Sequence, residues 1–285
     1  MRAHMMFGVV AVVAAGLGAG VNMSAQPAAT QPVTIRLAAT VGAEPFACGK
    51  TFEGVGTTKS SVRMSDFRFY VSNVRLARAN GAPVPVTLTQ DGLWQVDDVA
   101  LIDFEDATGL CANGTPQTHT TIEGTVPAGS YTGVEFDLGL PFDKNHRDPA
   151  AQPSPLNLTR LFWSWNAGYK FMRLDMRTTG LPQGWVIHLG STGCDGATAT
   201  VGPTACRQAN RPTIVIPAFN AKTDTVVMDV AAMLAGSNVD KNQERTAAGC
   251  MSAPNDADCG PLFTSLGLPF ADAAAAPQRV FSARR

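Results

Sequence analysis

The sequence predicts an all-β fold: a disulfide-bridged β-sandwich or open barrel of about ten short strands, with little helix. Three observations predict it. Charged residues make up only 16% of the chain and apolar residues 45%, alongside 27 Gly and 19 Pro, a composition of strands and turns rather than of amphipathic helices. Extended runs rich in β-branched and aromatic residues recur between Gly, Pro and Asn punctuation. The six cysteines all lie downstream of an apolar N-terminal stretch, as expected of a chain that folds in an oxidising compartment.

The elements follow in order. Arg2, the apolar run Met5 to Val21 and the small residues up to Ala25 have the layout of a secretory signal peptide, residues 1–25. A membrane anchor is the competing reading, and the shortness of the run and its many Gly and Ala weigh against it. No Cys sits near the cleavage point, which argues against a lipoprotein. Residues 26–32, rich in Ala, Gln, Pro and Thr, read as a flexible leader. Strands are then expected at Val33–Ala39, Asp66–Leu76, Val84–Thr89, Val99–Phe104, Ile122–Val126, Tyr131–Leu138, Phe162–Leu174, Trp185–Leu189, Thr213–Ile216 and Thr225–Val230. A short helix is expected from Val230, and residues 271–285 read as a loosely ordered tail. No later stretch is apolar and long enough to cross a bilayer, so no membrane association is expected after cleavage.

Lys and Arg total 22 against 23 acidic residues, so no basic field exists to hold nucleic acid. No GxSxG elbow, HExxH, P-loop or dinucleotide fingerprint is present. Six cysteines allow fifteen pairings. Cys194 with Cys206, and Cys250 with Cys259, each bracket a short polar loop, and pairing both locally leaves Cys48 with Cys111. A zinc site is the rival reading, but there is no CxxC pair and the spacings do not suit a four-ligand knuckle.

Three regions look over-specified for packing. Leu140–Pro149 (LPFDKNHRDP) gathers Asp143, Asn145, His146 and Asp148, carboxylates that can orient an imidazole; a solvated loop histidine is the plain alternative. In Leu161–Asp175 (LFWSWNAGYKFMRLD), a strand's period of two puts Trp163 and Trp165 on one face, as ligand-related residues or as ordinary aromatic core. In Trp185–Cys194 (WVIHLGSTGC), His188 faces away from Trp185, Ile187 and Leu189, as a ligand or as a satisfied structural histidine.

The runs DFRFYVSNVRL, LIDFEDATGLC, LPFDKNHRDPAAQPSPLN, FWSWNAGYKF, HLGSTGC and GCMSAPNDADC together resemble the MbnP-like copper-binding proteins, the four-Cys members of the so-called metallo-mystery pairs. The resemblance runs from about 33 to 268 and marks 33–270 as a single domain of that kind. It implies an exported, non-catalytic copper-binding protein whose partner is an MbnH-like di-haem cytochrome peroxidase. That partner oxidises one tryptophan to kynurenine, which helps histidine bind copper. The motif offers Trp163 and Trp165 as the modified residue and His146 and His188 as ligands, with Trp94 and Trp185 outside it. The family's four cysteines correspond to Cys48, Cys111, Cys194 and Cys206, and Cys250 with Cys259 form an additional pair. His146 is expected to matter more to copper than His119, which sits in a Thr-rich stretch. Two other functions fit the residues: a metal-free structural or adhesive envelope domain, and a small secreted metalloenzyme.

Overall fold

The structure is a computed structural model that describes Met1 and residues 29–164, 167–198 and 201–285. The signal peptide after Met1, residues 26–28 of the leader and Trp165 lie outside the described residues. The element that organises the rest is one strand, Ser60–Ala77, buried along nearly its whole length. Both of its edges are paired. On one edge, Met172–Thr178 runs against residues 62–69, and Gly133–Leu138 runs against residues 71–77. On the other lie Thr51–Val55, Val99–Asp103 and Val84–Pro85 in succession. A strand paired on both edges and covered on both faces reads as a continuous apolar run, which is why DFRFYVSNVRL stood out.

Among the described residues this strand centres a ten-stranded sheet, extended by Trp185–Leu189 beside Met172–Thr178 and by Thr213–Ile216 beside Gly133–Leu138. A six-stranded sheet lies opposite, ordered Phe281–Arg284, Thr225–Asp229, Thr30–Val41, Thr121–Pro127, Thr87–Leu88, with Glu44–Pro45 added to Thr30–Val41. The two faces meet through side chains such as Phe281, whose ring stands edge-on to Phe69 and Phe136. The fold is the expected all-β, sandwich-like one, and no closed barrel forms among the described residues.

Four expectations need correction. The leader reading of 26–32 fails from residue 30, because Thr30, Gln31 and Pro32 already pair with Pro127, Val126 and Thr125. The reading of 271–285 as a loose tail fails at its end: Phe281–Arg284 pairs with Thr225–Met228, and Phe281 is only 4% exposed. The expected strand Val84–Thr89 is two pieces that join different sheets. The expected strand Phe162–Leu174 is three, Phe162–Ser164, Gly168–Tyr169 and Met172–Thr178, so a continuous period of two cannot be carried through the tryptophan motif. Short helices form at Phe142–Asn145, Val230–Leu234 and Cys259–Leu266. No helix among the described residues is long and apolar enough to cross a membrane.

Three disulfides close in the scheme expected from the loops: Cys48–Cys111, Cys194–Cys206 and Cys250–Cys259. Asp103, at the end of the Val99–Asp103 strand, is buried, and that burial pushes its carboxyl from an ordinary 3.8 up to about 7, against the opposing pull of the Glu105 amide and Arg68.

Two predictions follow from this packing. Phe281→Ala should cost about 3–5 kcal/mol in urea unfolding, as removal of a core phenylalanine does; a change within error would mean that the terminal strand is not part of the core. The stability that Asp103 contributes is fully present below its unfolded pKa and is lost as pH rises through about 7, because the folded state binds the extra proton in that window. Asp103→Asn keeps an oxygen for the Glu105 amide, so the variant should flatten stability between pH 4 and 7 and exceed the parent at pH 8. Parallel pH–stability curves for the two proteins would contradict the assignment.

Candidate metal centre

Past Leu138 the chain leaves the sheet at Gly139, whose amide still donates to the Tyr70 carbonyl at 2.8 Å. Pro141 then opens the single turn Phe142–Asn145, with the Lys144 and Asn145 amides donating back to the Pro141 carbonyl. That turn sends Asn145 and His146 inward and Asp143 and Arg147 outward; His146 is 7% exposed and Asn145 fully buried. The carboxylates expected to orient His146 are therefore otherwise engaged. Asp143 faces exposed Arg147, and Asp148 caps the following turn by accepting from the Ala150 amide.

Asn145 orients the imidazole instead. Its Oδ1 accepts the Tyr169 amide at 2.8 Å, which fixes the carboxamide so that its Nδ2 faces His146 Nε2 at 3.1 Å. An amide NH2 can only donate, so Nε2 must present its lone pair, and the ring proton is assigned to Nδ1. Gly168 makes this possible: its φ of +78° is a left-handed conformation, and a Cβ there would come within 2.5 Å of Asn145 Oδ1. Sequence reading singled out the histidine and missed the role of the residue before it, because an asparagine beside a histidine carries no periodic signal.

The Nε2 edge of His146 faces the cross-strand pair Cys194 and Cys206, which joins the hairpin Thr192–Asp195 and Ala205–Gln208. Sγ of Cys206 lies 3.3 Å from Nε2 and Sγ of Cys194 3.9 Å. These three side chains form a cluster with metal-ligand spacing among the described residues. With the sulfurs joined as a disulfide there is no thiolate, so in this state the imidazole nitrogen is the effective ligand atom of the three.

Trp163 sits on the other side of the hairpin. Its indole lies over Gly190, where a Cβ would approach Cζ3 to 2.5 Å. The indole ring lies 6.4 Å from the His188 ring, centre to centre. With Ala167, Thr192, Cys194 and Met251 it lines a cavity of about 240 Å³, so Trp163 and the His146-facing disulfide border one space. Trp165, the other motif tryptophan, lies outside the described residues.

His188 is placed by the sheet. Its Nε2 is 2.7 Å from Asp175 Oδ1, and Asp175 is also held by Arg173. Arg173 reaches Asp66, which Arg68 grips through two hydrogen bonds. Burial pushes the His188 imidazole below its ordinary value, and the Asp175 carboxylate only partly opposes that. Burial alone would raise Asp175, but hydrogen bonds from His188 and Arg173 hold it below the usual carboxylate range. A neutral ring whose Nε2 proton goes to Asp175 keeps its lone pair on Nδ1, a buried nitrogen without a hydrogen-bond partner among the described residues. Asp175 is the supporting residue the sequence did not reveal, since its partner lies on the neighbouring strand. His119 lies apart from this region, stacked on Trp94 at 5.1 Å with its Nδ1 on the Leu101 carbonyl.

A sequence profile described as MbnP matches residues 30–252. The structure of MbnP from Methylosinus trichosporium superposes with a TM-score of 0.79 at 32% identity, covering 90% of this chain and 98% of that one. No curated protein matches.

The packing of Trp163 on Gly190 makes a direct prediction. Gly190→Ala should displace the indole and cost about 1–3 kcal/mol, the usual penalty of overpacking. Denaturant unfolding measures it, and wild-type stability would show that the indole does not depend on that contact.

Proposed function

The chain belongs to the MbnP family, and from that premise we propose that it is an exported, copper-binding protein without catalytic activity of its own. The observation that carries the reading is His146 Nε2, a buried, unprotonated nitrogen that accepts from Asn145 and lies beside a disulfide whose other side borders the same cavity as Trp163. His188 supports it with a second lone-pair nitrogen, Nδ1, backed by Asp175 through Nε2. Imidazole suits copper in both common oxidation states. Three disulfides support an oxidising compartment such as the periplasm.

An intact indole is a donor and offers a metal no useful lone pair. Oxidative opening of its pyrrole ring to kynurenine creates an aniline nitrogen and a ketone on a side chain already in position. We assign that modification to Trp163 or Trp165 and its execution to a di-haem peroxidase partner. The half-buried Trp163 borders a cavity, whereas Trp185 is fully buried in the core.

Mass spectrometry and copper titration test this together. Protein made without the peroxidase should bind copper weakly. Protein made with it should carry a peptide containing residues 163 and 165 that has gained one oxygen and lost one carbon, with Trp94 and Trp185 unchanged. In that modified protein His146→Ala should weaken copper binding far more than His119→Ala. Tight binding by the oxidised protein, its three disulfides closed and all tryptophans intact, would sink the kynurenine mechanism, and equal losses at the two histidines would sink the ligand assignment.

A further inference from the structure

The cluster of His146, Cys194 and Cys206 has a second state that the oxidised protein hides. We propose that reduction of the Cys194–Cys206 disulfide converts this cluster into a two-thiolate, one-imidazole site for a soft d10 cation, Cu(I), making the hairpin a redox-gated second binding mode. This mode needs no modified tryptophan and does not rest on the kynurenine reading, although the two would share His146.

Geometry carries the inference. With metal–sulfur bonds of about 2.3 Å and metal–nitrogen bonds of about 2.0 Å, a trigonal centre needs N···S separations of roughly 3.7 Å and an S···S separation of roughly 4 Å. The two N···S distances, 3.3 and 3.9 Å, already bracket the first value. The second is reached when the S–S bond is broken and the thiols rotate apart on adjacent strands. Nε2 is already the unprotonated ring nitrogen on the side of the sulfurs, and Cu(I) takes its lone pair by displacing the hydrogen bond that it accepts from Asn145 Nδ2.

The hairpin keeps the thiols together without their covalent bond. Thr192 pairs with Gln208, and the Thr204 amide donates to the Asp195 carbonyl at 2.9 Å. Ser191 donates to the Ala209 carbonyl, and Asn210 donates to the Gly190 carbonyl and to Thr192 Oγ1. Access also singles out this pair. Cys194 and Cys206 are both half-buried and border separate cavities of about 240 and 330 Å³. Cys111, Cys250 and Cys259 are fully buried.

The chemistry balances simply. An external dithiol supplies two electrons and two protons, breaking the S–S bond to give two thiols while it becomes a disulfide itself. Cu(I) then replaces both thiol protons, which leave to solvent, and the two Cu–S bonds and one Cu–N bond form. Soft thiolates suit Cu(I) and disfavour hard, oxygen-seeking divalent ions, with zinc the one divalent ion that competes for such a ligand set.

The test uses the full exported chain made without the peroxidase, its tryptophans shown intact by mass. Mild reduction followed by differential alkylation and peptide mapping should label Cys194 and Cys206 first. Anaerobic titration with Cu(I) against a chromophoric chelator should then give one ion per chain, bound about a hundredfold more tightly than by the oxidised protein, with sulfur-to-copper charge-transfer absorption. His146→Ala should abolish the gain. The double variant Cys194→Ser/Cys206→Ser, which leaves the other bridges whole, should show no gain on reduction. First labelling of another pair, a gain that survives His146→Ala, or no difference between oxidised and reduced protein would each overturn the proposal. None of these outcomes bears on the kynurenine reading, since no tryptophan is modified in the experiment.

Discussion

Everything in the candidate centre depends on what happens at Tyr70, midway along the Ser60–Ala77 strand. There one edge of the strand changes partners: the Tyr70 amide donates to the Phe171 carbonyl and its own carbonyl accepts from the Gly139 amide. Two neighbouring strands therefore end against the same residue, one arriving through residues 161–171 and the other departing through residues 139–149. The tryptophan hairpin and the histidine turn are the two segments released at that junction. The Tyr70 side chain then ties them down from below. Its ring meets Tyr169 edge-on at 5.8 Å and its hydroxyl donates to Pro155, while the Tyr169 hydroxyl donates to Leu156. The same Tyr169 supplies the amide that fixes Asn145, so the lone pair of His146 is set by contacts reaching back to the core.

The second histidine is held by charge rather than by a turn. Asp66, Arg68, Arg173, Asp175 and His188 form one ladder across three strands, with Arg68 opposite Arg173 and Arg173 opposite His188. Buried ion pairs are poor evidence of net stability, but a broken one leaves an uncompensated charge and is costly. What such a ladder secures is orientation: Asp175 can accept only a proton, so His188 is held with Nε2 protonated and Nδ1 available. The two imidazoles are thus held in opposite tautomers, His146 with its lone pair on Nε2, accepting from Asn145, and His188 with its lone pair on Nδ1.

The disulfides divide along similar lines. Cys48–Cys111 and Cys250–Cys259 have buried members and tether loops to the core. Cys194–Cys206 lies half-buried across a two-stranded hairpin that is separate from both main sheets, and it touches a candidate ligand. A bridge there changes the chemistry available to its neighbour as well as the entropy of the chain.

The amino-acid sequence by itself determined the fold class, most strand positions and the cysteine pairing, because alternation, turn residues and short polar loops are local signals that survive folding unchanged. It also picked out His146, His188 and Trp163, since each stands in a run whose composition departs from plain packing. It misjudged the ends, where Thr30–Pro32 and Phe281–Arg284 join a sheet through partners more than fifty residues away. It read Phe162–Leu174 as one strand, although Gly168–Tyr169 already pairs back against Phe162–Ser164 within it. Only the tertiary structure decided which groups support the histidines. The flanking carboxylates Asp143 and Asp148 turn to solvent and to a cap, while Asn145 and Asp175 take their place through a backbone amide and a neighbouring strand. The physical reason is that a side chain's identity is written in the sequence, but the direction of its lone pair is set by whatever donates to it, and those donors come from elsewhere in the chain.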